Sequence, residues 1–232
     1  MPSEHDELLL DGFHDQLAVE IGTAGLKALL GFAGTEEPQG IVIFAHGSGS
    51  GRFSPRNGYV AARLRRAGFA TLLLDLLTPA EEQNRKNVFD VGLLAQRLEL
   101  ARTWARADPR TRNLAIGYFG ASTGAAAALI AAALPESDVG AVVSRGGRPD
   151  LAGATLAAVR APTLLLVGGD DTGVIELNQA AFARLAAPKE LVIIPGASHL
   201  FEEPGTLDAV VAYATWWFAH RLPARDQRRD SP

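Results

Sequence analysis

The sequence predicts an α/β protein, with one mostly parallel sheet of about eight strands covered by helices on both faces. Two observations lead there. From residue 41 onward, short apolar runs alternate with longer segments of helical period. The apolar runs are continuous rather than alternating with polar residues, as in strands buried on both faces. A third supports them: 47% of the 232 residues are hydrophobic, enough for a sizeable core.

Taken in order, 17–22 (LAVEIG) and 26–33 (LKALLGFA) read as an antiparallel hairpin at one edge, because a Gly-containing turn separates them. Parallel strands are expected at 41–46, 70–76, 113–120, 140–145, 162–169 and 190–196. Between them lie helical patterns. Val91, Leu94, Leu98 and Ala101 share one face of 88–107, and Val174, Leu177, Ala181, Phe182 and Leu185 one face of 174–186. Leu207, Val210, Val211, Ala214, Trp217 and Phe218 do the same in 205–221. No linker or composition break interrupts the run, which predicts a single domain over 1–232 with an ordered core at about 7–222. Ligands of such sheets bind beyond the carboxyl ends of the strands.

Composition narrows the function classes. The net charge of −4, from 22 basic and 26 acidic residues, argues against a nucleic-acid partner. The basic stretch Arg225–Arg229 reads as a solvated end. With no cysteine there is no disulfide framework and no thiol chemistry. The start, MPSEHDELLLDGFHDQ, carries no signal pattern, and no apolar run reaches membrane-spanning length, so a cytoplasmic protein without membrane contact is expected.

Gly120-Ala121-Ser122-Thr123-Gly124 stands between a strand and the helix AAAALIAAAL. A serine on a sharp strand-to-helix turn needs small neighbours two positions away, and both are glycine. Tight turns without catalytic roles share such glycines; the strand–turn–helix context singles out Ser122 as nucleophile. A serine hydroxyl needs a base, itself oriented by a third group. His199, in PGASHLF after the last strand, is placed for that role; the competing reading is a loop histidine packed on Phe201. His5 and His14 precede the core, His220 ends the last helix, and His46 precedes Ser122 and is expected to orient its own loop. The acid is Asp170 or Asp171, adjacent after the strand PTLLLVGG; Glu176, Glu202 and Glu203 read as solvated. For the oxyanion hole, the amide of Thr123 and one from the glycine loop His46–Gly51 are expected, with Ser48 ahead of Gly49.

With these residues the chain resembles the α/β-hydrolase superfamily, and within it the dienelactone-hydrolase-like branch, from IVIFAHGSGSGRFSPRN through LLLVGGDD to IPGASHLFEEPG. The resemblance implies an eight-stranded sheet, no cofactor or metal, and a Ser122–His199–Asp171 triad that forms an acyl-enzyme. It also favours Asp171 over Asp170. Two departures stand out. Dienelactone hydrolases carry a cysteine nucleophile where this chain has serine, and no arginine closely follows His199, where the family grips its substrate's carboxylate. The expected substrate is therefore a small-molecule carboxylic ester or lactone in general.

Gly47, Gly49, Arg52 and Arg145 are expected to contact that substrate, with Arg56 and Arg148 nearby; singly, each arginine also reads as a surface residue paired with an acid. The 146–153 segment is too short for a helical lid. Two rival readings come from other classes. A nucleotide-binding domain would use Gly47–Gly51 and Asp75, but Arg52 occupies the place of the third glycine and no Gly-Lys-Ser/Thr follows. A non-catalytic binding protein on the same fold leaves Ser122, Asp171 and His199 in order without a reason.

Overall fold

The computed structural model describes residues 16–32, 34 and 37–222. His5, His14, the rest of the expected core before residue 16, and Arg225–Arg229 lie outside the described residues. Eight strands form one sheet in the order β1-β2-β4-β3-β5-β6-β7-β8. β1 (Gln16–Ile21) and β2 (Leu26–Gly31) pair antiparallel, and β2 pairs antiparallel with β4 (Ala70–Leu74). β3 (Ile41–Ala45), β5 (Ile116–Ala121), β6 (Val139–Arg145), β7 (Thr163–Gly168) and β8 (Lys189–Ile194) complete a parallel array with β4.

The helices are α1 (Pro55–Arg66), α2 (Pro79–Glu82), α3 (Arg85–Phe89), α4 (Val91–Ala107), α5 (Thr123–Ala132), α6 (Thr172–Arg184) and α7 (Thr206–Arg221), with a 3-10 segment at Pro149–Ala158. Alternate residues of each central strand feed opposite faces of the sheet. Ile41, Ile43 and Ala45 pack with Leu98 and Leu129 of α4 and α5, whereas Val42 and Phe44 pack with Val60 of α1 and Trp217 of α7. A Cβ on Gly117 would come within 2.7 Å of Phe218, so glycine there lets α7 press against β5.

One expectation is corrected. The helix expected over 88–107 is broken at Asp90, whose side chain accepts from the Leu93 amide at 2.9 Å and caps α4. The stretch after Arg145 extends into the 3-10 segment, whose buried Leu156 joins the α4–α5 side of the core. That segment packs against α5 and α6 and none of its residues lines the cavity at Ser122, so it does not act as a lid.

The chain leaves β3 for β4 on one side and reaches β5 on the other. A crevice therefore opens between the carboxyl ends of β3 and β5. Those ends carry the His46–Gly51 loop and Ser122.

Candidate active site

Ser122 follows β5 with φ 51° and ψ −123°, a conformation that L side chains rarely adopt. Its surroundings hold it there. The Ser122 amide donates to the Arg145 carbonyl at 3.3 Å, and the Ser122 carbonyl accepts from the amides of Arg148 at 3.0 Å and Ala125 at 3.1 Å. The flanking glycines are sterically required. A Cβ on Gly120 would stand 2.5 Å from Ala125 Cα, and one on Gly124 would stand 2.3 Å from the Ala45 carbonyl oxygen. The Ser122 side chain makes no capping bond to its own helix, although it occupies the N-cap position.

His199 and Asp171 come from the loops after β8 and β7. His199 Nδ1 lies 2.6 Å from Asp171 Oδ2. That pair assigns the proton to Nδ1 and leaves Nε2 as an acceptor. Asp171 occupies the N-cap of α6, yet its side chain makes no cap bond. Asp170, the other candidate acid, is exposed and does not meet His199. Ser122, His199, Gly47, Ser48, Arg56 and Arg145 all line one cavity of about 240 Å³.

The loop at His199 has a brace that the sequence reading placed in solvent. Glu203 accepts from the Ser198 amide at 3.0 Å, and hydrogen bonds from Ser198 hold its carboxyl below the usual range. Glu202 pairs with Arg56 at 2.8 Å and so ties this loop to α1. A Cβ on Gly146 would lie 2.9 Å from the His199 carbonyl and 3.2 Å from the Phe201 ring. Phe201 thus packs beneath the His199 loop while His199 itself reaches Asp171.

Other expected residues divide. Thr123 begins α5, directly after the nucleophile candidate, so its amide belongs to the orphan donors of a helix N-terminus. Gly49 has φ 70° and lines a second cavity of about 650 Å³ rather than the one at Ser122. Arg52 is also displaced from its expected role. Its side chain pairs with Asp75, its amide donates to the same carboxylate at 2.7 Å, and it too lines the larger cavity. This bond occupies the Asp75 carboxylate that a nucleotide-binding reading would assign to a ribose. Arg148 pairs with Asp150 at 2.8 Å. Among the described residues no cluster of three or more His, Asp or Glu is arranged to hold a metal ion, and no helix is long and apolar enough to cross a membrane.

His46 is a brace rather than a base. Its Nδ1 donates to the Gly47 carbonyl at 2.9 Å, and its Nε2 accepts from the Leu76 amide at 3.0 Å. This joins the glycine loop to the segment after β4. Burial lowers its pKa below the usual value of about 6.5. As pH falls, the unfolded chain therefore takes up this proton first, so the stabilisation is present above about pH 6.5 and is lost below it. His46→Leu should cost about 1–3 kcal/mol, because the buried Leu76 amide loses its acceptor. Denaturant unfolding from pH 5 to 8 should show a shallower pH slope in the variant than in the wild type. An equal slope would assign the acid sensitivity to other groups.

The pattern of the dienelactone hydrolase family matches residues 26–217. This chain belongs to that family. A crystal structure of a dienelactone hydrolase from Anabaena variabilis is 53% identical, covers 90% of this chain and 100% of its own, and superposes with a TM-score of 0.84. A Xanthomonas campestris α/β serine hydrolase without a lid shares the fold at 20% identity and a TM-score of 0.73, over 91% of this chain and 97% of its own. Two Mycobacterium tuberculosis proteins, provisionally named phosphoribosyl transferases, are 62% identical over 187 residues. That alignment covers 81% of this chain but 42% of theirs, so the chain spans less than half the length of these relatives.

Proposed function

We propose that this member of the dienelactone hydrolase family cleaves carboxylic esters or lactones through an acyl-enzyme on Ser122. The observation that carries the reading is the His199–Asp171 pair at 2.6 Å beside the strained Ser122 turn. Ser122 Oγ attacks the carbonyl carbon and passes its proton to His199 Nε2. Asp171 holds the Nδ1–H tautomer and stabilises the imidazolium that forms. The amides of Thr123 and Ser48 receive the negative charge on the carbonyl oxygen. His199 then protonates the departing alcohol and activates a water that releases the acid.

Among the described residues no lid closes over the strand ends, so long acyl chains gather little binding energy. Short and medium esters should be the best substrates, with no activation at a lipid–water interface. A fluorophosphonate probe should add one label per chain, mapped to Ser122, and turnover should persist after exhaustive chelation and dialysis. Labelling elsewhere, or steep preference for long-chain triglycerides, would overturn the reading. Phosphoribosyl transfer is not assigned to this chain, since more than half of each mycobacterial relative lies outside the alignment.

A further inference from the structure

Arg145 is 7% exposed at the end of β6 and is one of the residues that line the cavity holding Ser122 and His199. Among the described residues it has no acidic partner. Its Nε and Nη1 are buried without hydrogen-bond partners, and Nη2 makes one long contact, 3.5 Å to Asn57 Oδ1. The neighbouring cation Arg56 is matched by Glu202, and Arg148 by Asp150. Of the two arginines that line the cavity, Arg56 and Arg145, only Arg145 is left unmatched among the described residues.

A buried guanidinium with unfilled donors is costly to keep, and the cost recurs in every folded molecule. Burial lowers its pKa to about 10 and Arg56 acts in the same direction, so it remains charged at neutral pH. A ligand anion would fill its donors and cancel its charge in a site largely removed from water.

Resting on the serine-esterase reading, we infer that Arg145 is the anion subsite of this cavity, so that the preferred ester carries a carboxylate or a phosphate within reach of its scissile carbonyl. Arg145 lies on the strand beside the nucleophile and not after His199. The subsite is thus built from a different part of the sheet than the loop that lacks an arginine. Asn57 holds one edge of the guanidinium, and Arg56 adds positive potential at the rim.

The test uses two matched sets of aryl esters, one varied on the acyl group and one on the alcohol group. Each set has a neutral member, a carboxylate and a phosphate or phosphonate. At fixed ionic strength, the wild type should prefer an anionic member of at least one set in kcat/KM. Arg145→Gln should reduce the anionic-to-neutral ratio by about 30- to 100-fold, the range of a charge-assisted bond. Whichever anion loses more identifies the source. Arg145→Met, of similar length and apolar, should raise Tm, because it removes an unpaired buried charge.

Should neither variant fold, the wild type still decides. Inorganic phosphate or benzoate should slow fluorophosphonate labelling of Ser122 more than chloride at equal ionic strength. A wild type with no anion preference and no such protection would overturn the subsite. So would equal loss on neutral and anionic esters in a folded variant, which would make Arg145 a general support of the turn. In those cases the wild type still labels at Ser122 and still turns over neutral esters. Absence of both would instead sink the esterase reading itself.

Discussion

Replacing Ser122 with alanine is expected to lower kcat on short aryl esters by about 10⁶-fold, the loss seen when a serine nucleophile is removed from a triad. The fold should survive. The Ser122 hydroxyl caps nothing, and the bonds that hold the turn run through its backbone amide and carbonyl. Thermal unfolding of the variant should therefore stay close to that of the wild type while turnover and covalent labelling vanish together. A folded alanine variant that still hydrolyses esters at a tenth of the original rate would mean that another group attacks the carbonyl.

Asn at 171 is expected to cost about 10⁴-fold in kcat, by the precedent of an acid-to-amide change in a comparable triad. The amide can present its NH₂ to Nδ1, which favours the tautomer with the proton on Nε2. His199 then cannot accept from Ser122. Asn at 170 should lose less than about tenfold, because that carboxylate is exposed and does not meet His199. Equal losses at the two positions, measured on folded proteins, would remove Asp171 from its assigned role. The contrast tests one carboxylate against its immediate chain neighbour.

Much of this was legible from residue types and order. Buried strands announce themselves as continuous apolar runs, and the Gly120–Gly124 turn can be read because glycine is the only residue that fits against Ala125 and Ala45. His199 is legible because it follows the last strand. What stayed hidden depends on partners distant in the chain. Arg52 and Arg145 look alike as arginines near a glycine loop or strand end. Yet Arg52 finds Asp75, 23 residues away, while Arg145 finds no carboxylate among the described residues. Glu203 looks like a solvated helix-end charge until the loop folds back and gives it the Ser198 amide. The break at Asp90 had a local signal, an aspartate three residues before a leucine amide, but the apolar period runs across it and masks the cap.

The site is assembled from two preformed halves. In one, the Ser122 amide donates to the Arg145 carbonyl and the Arg148 amide to the Ser122 carbonyl, so Ser122 and Arg145 are carried on a single hydrogen-bonded frame at the ends of β5 and β6. In the other, Asp171 and His199 are joined directly, and the loops bearing them are locked by the Gly169 amide on Ile194 and the Asp170 amide on Ala197. The seam between the halves crosses the sheet between β6 and β7, where the Gly146 amide meets the Leu166 carbonyl at 2.8 Å. The second half hangs from β8, the outermost strand, and edge elements open at lower free energy than central ones. Breathing of that edge is expected to alter the gap from Ser122 to His199 more than the spacing of Ser122 to Arg145, which the β5–β6 frame holds. On the esterase reading proposed above, the reach from Ser122 to Arg145 would then act as a fixed gauge of substrate length, and the reach from Ser122 to His199 would be the adjustable one.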